Sequence, residues 1–360
     1  MIQERKHKNI GTVGVIGAGS WGTTLANLLA LKGLTVHLWV FEEDLCETIR
    51  KTRENSTYLP GFRLHDRVLP FSAVEKVTRA CRLLIMVVPS HVYRGVVMRM
   101  LPHLRQDAII VNATKGIEAE TLLTMSGIWK ELLPKQSRVP FLCLSGPSFA
   151  REVIQGAPTA VTLAGPNMEI TCQVQQVIST ARFRVYSSLD VVGVEVAGAS
   201  KNVIALAAGA CDGLSFGYNA RAALITRGLA EISRLGVKMG AHPLTFSGLA
   251  GIGDLLLTCT GDLSRNRTVG MQLGQGKKLS EILREMRQVA EGIITARSIH
   301  SLARKMDVEM PICEQVYRVL YEDKDPLLVV GELINRDLKH EMEYDPEIYA
   351  INDKNRIAAL

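Results

Sequence analysis

The sequence predicts an α/β protein in two parts: a doubly wound parallel sheet over residues 1–190 and an all-helical domain over residues 191–341, followed by a tail at 342–360. Three observations predict it. Through residues 10–190 short apolar runs alternate with segments of helical period, the pattern of parallel strands joined by helices on the sheet faces. Near residue 190 the strand signals stop and only helical periods follow. The chain has 360 residues, more than one hydrophobic core usually organises, so two domains are expected.

In chain order, TVGVIGAG, LTVHLWVF, LLIMVVPS, AIIVNATKG, FLCLSGP, TAVTLAG and FRVYSS read as buried strands. Between them WGTTLANLLALKG and HVYRGVVMRMLPHL have helical period, and Gly33 is placed to end the first. The helical part holds VEVAGASKNVIALAAGACDG, NARAALITRGLAEISRLGVKMG, LSEILREM, ITARSIHSLARKM and PICEQVYRVLYE. In its first helix one ammonium, Lys201, stands among Val, Ala, Ile, Leu and Gly. One reading is a lysine whose stem lies on apolar surface while its head reaches water. The other is a lysine in a partly dry pocket, where desolvation lowers its pKa and makes it a proton acceptor near neutral pH.

The formal net charge is +6, and part of the excess sits in the opening MIQERKHKN. No later basic run is interleaved with aromatics as a stacking platform requires, which argues against nucleic acid and leaves an anionic small substrate open. The seven cysteines are spread without a C-x-x-C pair, and no His stands at metal-ligand spacing, so the expectation is reduced thiols and no metal site. The N-terminus lacks the apolar stretch of a signal peptide and no segment is read as long enough to span a membrane, so the protein is expected in the cytoplasm.

Gly17-x-Gly19-x-x-Gly22 follows an apolar strand and opens a helix. Gly17 suits a tight turn, Gly19 lets backbone approach a pyrophosphate, and Gly22 lets helix and strand pack closely, while the helix N-terminus supplies N–H donors. The second strand ends at Phe41, Glu42 and Glu43, about 20 residues beyond Gly22, where an acidic group would meet the adenosine ribose. The two glutamates are equally expected as dipole partners of a helix they open. Phe41 is placed either on the adenine face or in the core at a strand end.

Polar groups recur where other strands end: Pro89 and Ser90; Asn112, Thr114 and Lys115; Gly146, Pro147 and Ser148. In open parallel sheets ligands bind outside the carboxyl ends of the strands, so these residues point at one crevice. In the helical part Asp254 stands between glycines and an apolar run, followed by Ser264, Arg265, Asn266 and Arg267. Asp254 either caps a helix or orients a base, and the arginines either face solvent or, with Asn266, hold a phosphate.

GAGSWGTTLA, VVPSH, ATKGIE, SGPSFA, GASKNVIALAAG, GLAGIGDLLLTC and SRNRTVG, in this order, resemble the NAD(P)-dependent glycerol-3-phosphate dehydrogenases from about residue 10 to about residue 340. The resemblance, to the bacterial type, implies a Rossmann-like first domain. It implies that Ser20, Trp21, Phe41, Lys115 and Ala150 contact the cofactor beside the glycine loop, with Arg265, Val289 and Glu291 completing the site. Lys115, Gly146, Ser148, Lys201, Asp254, Ser264, Arg265 and Asn266 would surround sn-glycerol 3-phosphate. Lys201 would be the proton acceptor, oriented by Asp254, as hydride passes between C2 and the nicotinamide. The implied activity interconverts glycerol 3-phosphate and dihydroxyacetone phosphate and supplies the former for phospholipid synthesis, in a homodimer.

Bacterial members often carry a basic or polar residue where this chain has Phe41, and WVFEED resembles the animal, NAD-using form. No arginine stands there to neutralise a 2′-phosphate, and Glu42 and Glu43 would repel one, so the reading leans to NAD with NADP use open. Two rival readings are a two-domain 3-hydroxy acid dehydrogenase, which would need a carboxylate site, and a dinucleotide sensor, which has no need of Lys201 with Asp254.

Overall fold

The computed structural model describes residues 10–286, 290–338 and 341. The sequence readings of the basic segment 1–9, of Val289 and of the tail 342–360 lie outside them.

Strands β1 (Thr12–Ile16), β2 (Thr35–Trp39), β3 (Val68–Phe71), β4 (Leu83–Met86), β5 (Ile109–Asn112), β6 (Phe141–Ser145), β7 (Thr159–Ala164) and β8 (Phe183–Ser188) form one sheet in the order β3-β2-β1-β4-β5-β6-β7-β8. The chain starts mid-sheet, runs out to β3 and then crosses to β4 beside β1, so the strand order reverses between β1 and β4. A crevice opens outside the carboxyl ends of the strands at such a point. Helices α1 (Ser20–Leu31), α2 (Glu43–Thr52), α3 (Val74–Ala80), α4 (Tyr93–Met100), α5 (Met125–Leu132), α6 (Ala150–Ile154) and α7 (Met168–Ile178) accompany the strands. β1, β4 and β5 are apolar almost throughout because both sheet faces are covered: Val13, Val15, Leu83, Ile85, Ile109 and Val111 pack on one side, Ile16, Leu84, Met86 and Ile110 on the other. Gly33 ends α1 with a left-handed backbone, φ 103°.

Two features depart from the sequence reading. β3, VLPF, gave no strand signal because Pro70 lacks a ladder N–H; it is tolerated since β3 is an edge strand. β7 pairs antiparallel with β6, and β8 runs parallel to β7, so the last two strands are reversed against the other six. The β6–β7 connection holds only the five-residue α6, not a full crossover helix, and the chain folds back beside the strand it left.

After β8 come α8 (Val191–Gly213), α9 (Gly217–Lys238), α10 (Asp254–Thr260), α11 (Arg265–Gly274), α12 (Leu279–Glu285), α13 (Glu291–Met306), α14 (Pro311–Tyr321) and α15 (Pro326–Ile334). α8 is apolar around its whole circumference because α9, α10, α11, α13 and α14 pack around it. By length and composition α8 could cross a membrane, which corrects the expectation that no segment reaches that length; 83% of its apolar window is buried inside the protein. Glu195 ties α8 to the sheet half, its carboxylate accepting hydrogen bonds from the Ser126 hydroxyl and, at 2.9 Å, from the Ser126 amide in the first turn of α5. Burial pushes the Glu195 carboxyl up to about 7 against those hydrogen bonds.

Candidate functional site

The glycine loop has the shape of a phosphate cradle. Gly17 has φ 116°, and a Cβ on it would lie 2.6 Å from the Val87 carbonyl oxygen; one on Gly22 would lie 2.0 Å from that of Gly17. A Cβ on Gly19 would meet nothing within 4 Å, so the loop closes on itself except above Gly19, where there is open space. No side chain caps the N-terminus of α1, which leaves its first amides for an anion. Buried Asn55 braces the loop from below, donating at 2.7 Å to the Ala18 carbonyl and at 2.8 Å to Thr23 Oγ1. These features fit a dinucleotide.

Around the loop stand the other residues that the resemblance gives to the cofactor. Ser20 and Trp21 form the first turn of α1, and the Trp21 ring lies 6.2 Å from that of Phe183. Ala150 opens α6, and its carbonyl accepts from Thr24 Oγ1 at 3.2 Å. Phe41 is 70% exposed at the end of β2, edge-on to Trp39, so its placement in the core is corrected: the chain turns outward there. Glu43 lies in the first turn of α2, as a dipole partner does. Glu42 accepts from the Tyr58 hydroxyl at 2.6 Å, a bond that, with burial, pushes the phenol up to about 12.

A second cluster forms around Asp254. A π-type turn over Leu249–Gly253 leads into α10; Gly251 is non-helical there, and a Cβ on it would lie 2.1 Å from the Phe246 carbonyl oxygen. The turn sends Asp254 inward, 1% exposed. It is not a cap, since Gly253 holds that position without a side-chain bond. Instead Asp254 Oδ2 accepts from Lys115 Nζ at 2.6 Å and Oδ1 accepts from Lys201 Nζ. Lys201 also donates to Thr258 Oγ1 at 2.8 Å, and the Thr258 proton goes to the Asp254 carbonyl at 2.6 Å. Ser145 Oγ, at the end of β6, lies 3.4 Å from Asp254 Oδ2. α8 seats here because residue 198 is glycine: a Cβ would stand 2.9 Å from Ser145 Oγ.

Lys201 is 6% exposed, which answers the snorkelling alternative. Burial pulls its ammonium down to about 7; the carboxylate of Asp254 resists this and the charge of Lys115 adds to it. For Asp254 burial works the other way, but the two ammoniums outweigh it and hold the carboxyl below its usual range. Two cations share one buried anion, and Lys201 is the drier of them.

The candidate phosphate residues lie on α11. Ser264 caps the helix, its Oγ accepting from the Arg267 amide at 3.3 Å. Buried Asn266 donates to Asn202 Oδ1 at 3.0 Å and accepts from the Gly292 amide at 3.0 Å; its second amide hydrogen has no acceptor among the described residues. Arg265 is exposed, with the Glu291 carboxylate acting on it electrostatically. Arg267 is not a solvated side chain, contrary to that alternative: its Nε lies 2.8 Å from Asp212 Oδ2. Glu291 opens α13 and reaches the end of β4, accepting from Ser90 Oγ at 2.5 Å and the Ser90 amide at 3.4 Å. Burial raises its carboxyl. In the β6 loop Gly146 has φ 145°, and Ser148 Oγ donates to its carbonyl at 3.0 Å.

The chain as a whole has relatives among known proteins. The family described as NAD-dependent glycerol-3-phosphate dehydrogenase matches with its N-terminal part over residues 12–171 and with its C-terminal part over residues 190–330. The chain belongs to that family. A glycerol-3-phosphate dehydrogenase [NAD(P)+] of Syntrophobacter fumaroxidans is 68% identical over 333 residues, which are 92% of this chain and 98% of the relative. That of Geobacter sulfurreducens is 57% identical over 329 residues, 91% of this chain and 98% of its own. A crystal structure of glycerol-3-phosphate dehydrogenase from Coxiella burnetii superposes with a TM-score of 0.87 at 39% identity, covering 91% of this chain and 99% of that one.

Within this glycerol-3-phosphate dehydrogenase family member, Lys115, Lys201 and Asp254 meet in one cluster, and Ser264, Arg265 and Asn266 stand together on α11. Thr258, Ser145, Asn202 and Asn55 were not singled out in the sequence. Thr258 carried a usable signal, four residues after Asp254 on one helix face; Asn55 carried none, because its partners lie in another element.

Proposed function

We propose that the chain interconverts sn-glycerol 3-phosphate and dihydroxyacetone phosphate with NAD(P), with Lys201 exchanging the proton of the C2 oxygen. The observation that carries this is the buried Lys201–Asp254–Lys115 cluster at the carboxyl ends of β5 and β6, on the sheet edge that also holds the glycine loop. A bound nicotinamide would supply the hydride acceptor or donor for C2. Gly17, Gly19, Ser20, Trp21 and Gly22 would hold the cofactor at the turn into α1, Phe41 at the end of β2, and Lys115, Ala150, Arg265 and Glu291 elsewhere along it.

As a neutral amine, Lys201 keeps its two N–H bonds on Asp254 Oδ1 and Thr258 Oγ1, and its lone pair accepts the hydroxyl proton. In reduction the ammonium returns that proton to the ketone oxygen. Lys115, Gly146, Ser148, Ser264, Arg265 and Asn266 surround the substrate, and a phosphate held on α11 uses binding energy remote from the reacting carbon to orient C2.

The test is the absorbance of reduced nicotinamide with dihydroxyacetone phosphate, run in parallel with NADH and NADPH. Oxidation is expected with both, faster with NADH, because Glu42 and Glu43 are exposed beside Phe41 and oppose a 2′-phosphate. No oxidation in protein that binds cofactor overturns the activity; a strong NADPH preference overturns the lean to NAD. Arg265→Ala is expected to raise KM for dihydroxyacetone phosphate by the equivalent of about 1.5–3 kcal/mol, the worth of a hydrogen bond to a charged group. An unchanged KM moves the phosphate elsewhere.

We place the division of labour at residues 1–190 and 191–341 and the protein in the cytoplasm, which its free cysteines support. Glycerol 3-phosphate made by the proposed reaction is a precursor for phospholipid synthesis, the role this reading gives the chain. Exposed Leu327, Leu328 and Ile334 on α15 support a homodimer.

A further inference from the structure

α8 and α11 meet backbone to backbone. A Cβ on Gly209 would lie 2.0 Å from the Arg267 carbonyl oxygen, one on Gly270 1.9 Å from that of Leu206, and one on Gly274 2.4 Å from that of Ala210. Such contact leaves the two helices one register and little slack. α8 carries Lys201, and α11 begins with Arg265 and Asn266.

At the far end of α8 stands Asp212, a carboxylate in the last turn, where the helix dipole disfavours it. Two guanidiniums hold it: Arg267 Nε lies 2.8 Å from Oδ2 and Arg221 Nη1 2.9 Å from Oδ1. The Arg267 and Asp212 side chains are each 16% exposed, so the pair is only weakly screened. Arg267 reaches a second carboxylate across the turn before α11, its Nη1 lying 2.9 Å from Asp262 Oδ1, and its own amide donates to Ser264 Oγ. Arg267 is therefore fastened at three points around the turn whose other residues, Ser264, Arg265 and Asn266, are the ones proposed above to hold the phosphate.

We propose that Asp212 and Arg267 are positioning residues for the phosphate end of the substrate: the pair holds the Ser264–Asn266 turn at a fixed distance from Lys201. Neither touches the ligand. The inference rests on the activity proposed above and deepens it, since the phosphate is recognised through a turn whose position is set by an ion pair behind it. The leg to Asp262 carries little, because that carboxylate is 96% exposed and its pairing competes with water.

The test compares kcat, KM for dihydroxyacetone phosphate and KM for NADH in the intact protein and in Asp212→Asn, Arg267→Lys and Asp262→Ala. Asparagine keeps the shape of Asp212 without its charge, and lysine keeps the charge of Arg267 without its fork. Both variants are expected to lower kcat/KM for dihydroxyacetone phosphate about tenfold or more, as displacement of an orienting group does, with the KM for NADH little changed. Asp262→Ala is expected to match the unaltered protein. Equal losses in kcat and both KM values, or no loss, overturn the proposal, because the pair then serves only general stability or nothing measurable. If Asp212→Asn does not fold, Arg267→Lys decides alone; if neither folds, the pair is a stability element and the proposal is overturned. Failure of the unaltered protein to turn over dihydroxyacetone phosphate refutes the activity itself and is seen before any variant is made.

Discussion

Replacement of Lys201 by methionine is expected to lower kcat by about 10²–10⁴-fold, the span that a positioned proton-transfer group contributes, while NADH binding stays as it was. Fold and chemistry separate cleanly here. Asp254 keeps Lys115 at 2.6 Å when Lys201 is gone, so no buried charge is stranded, and the methionine stem fills the space of the lysine stem. The same variant tests the proton route. Burial brings the Lys201 ammonium down to about 7; oxidation of glycerol 3-phosphate needs the free amine, so its rate rises with pH through about 7. Reduction needs the ammonium and falls over the same range. The methionine variant is expected to lose that dependence in both directions. A pH–rate profile with the limb intact would assign the proton to another group, and near-normal kcat would end the assignment.

Asp254→Asn is expected to be more damaging to the fold than the loss of Lys201, although it too removes a single charge. Asp254 is the anion between two cations, so its removal leaves Lys201 buried against Lys115 with no carboxylate for either. Breaking a buried pair in this way costs about 3–5 kcal/mol, which a thermal melt reads directly. Part of that cost is relieved by deprotonation of Lys201, because Asp254 is the group that resists the pull of burial on its pKa. The pH limb of glycerol 3-phosphate oxidation is therefore expected to move to lower pH in Asp254→Asn, where in the Lys201 variant it vanishes. A limb that stays in place would show that Asp254 does not act on the proton acceptor. Adding Lys201→Met to Asp254→Asn is expected to restore part of the lost stability, since the remaining Lys115 is 21% exposed and retains water.

By itself the sequence determined what local periodicity and local chemistry encode. The alternation of apolar strands and amphipathic helices, the Gly17-x-Gly19-x-x-Gly22 turn and the change to helices after β8 depend on neighbours within one or two elements. The two departures, an edge strand carrying Pro70 and the reversal of β7 and β8, arise where the partner strand decides the outcome, and pairing partners are not local information. At the site, Lys115, Lys201 and Asp254 were each legible as candidates from their surroundings in the chain. Their meeting was not: Lys115 and Asp254 are 139 residues apart and Lys201 and Asp254 53 apart, and they converge only because Gly198 lets α8 settle on the end of β6. The same docking decided that Thr258 accepts a hydrogen bond from Lys201, that Asn266 is tied to Asn202, and that Arg267 is clamped by Asp212 where a solvated arginine was an open reading. Whether an ammonium snorkels or sits dry depends on the elements stacked over it, and the surroundings that lower the pKa of Lys201 are assembled by tertiary packing alone.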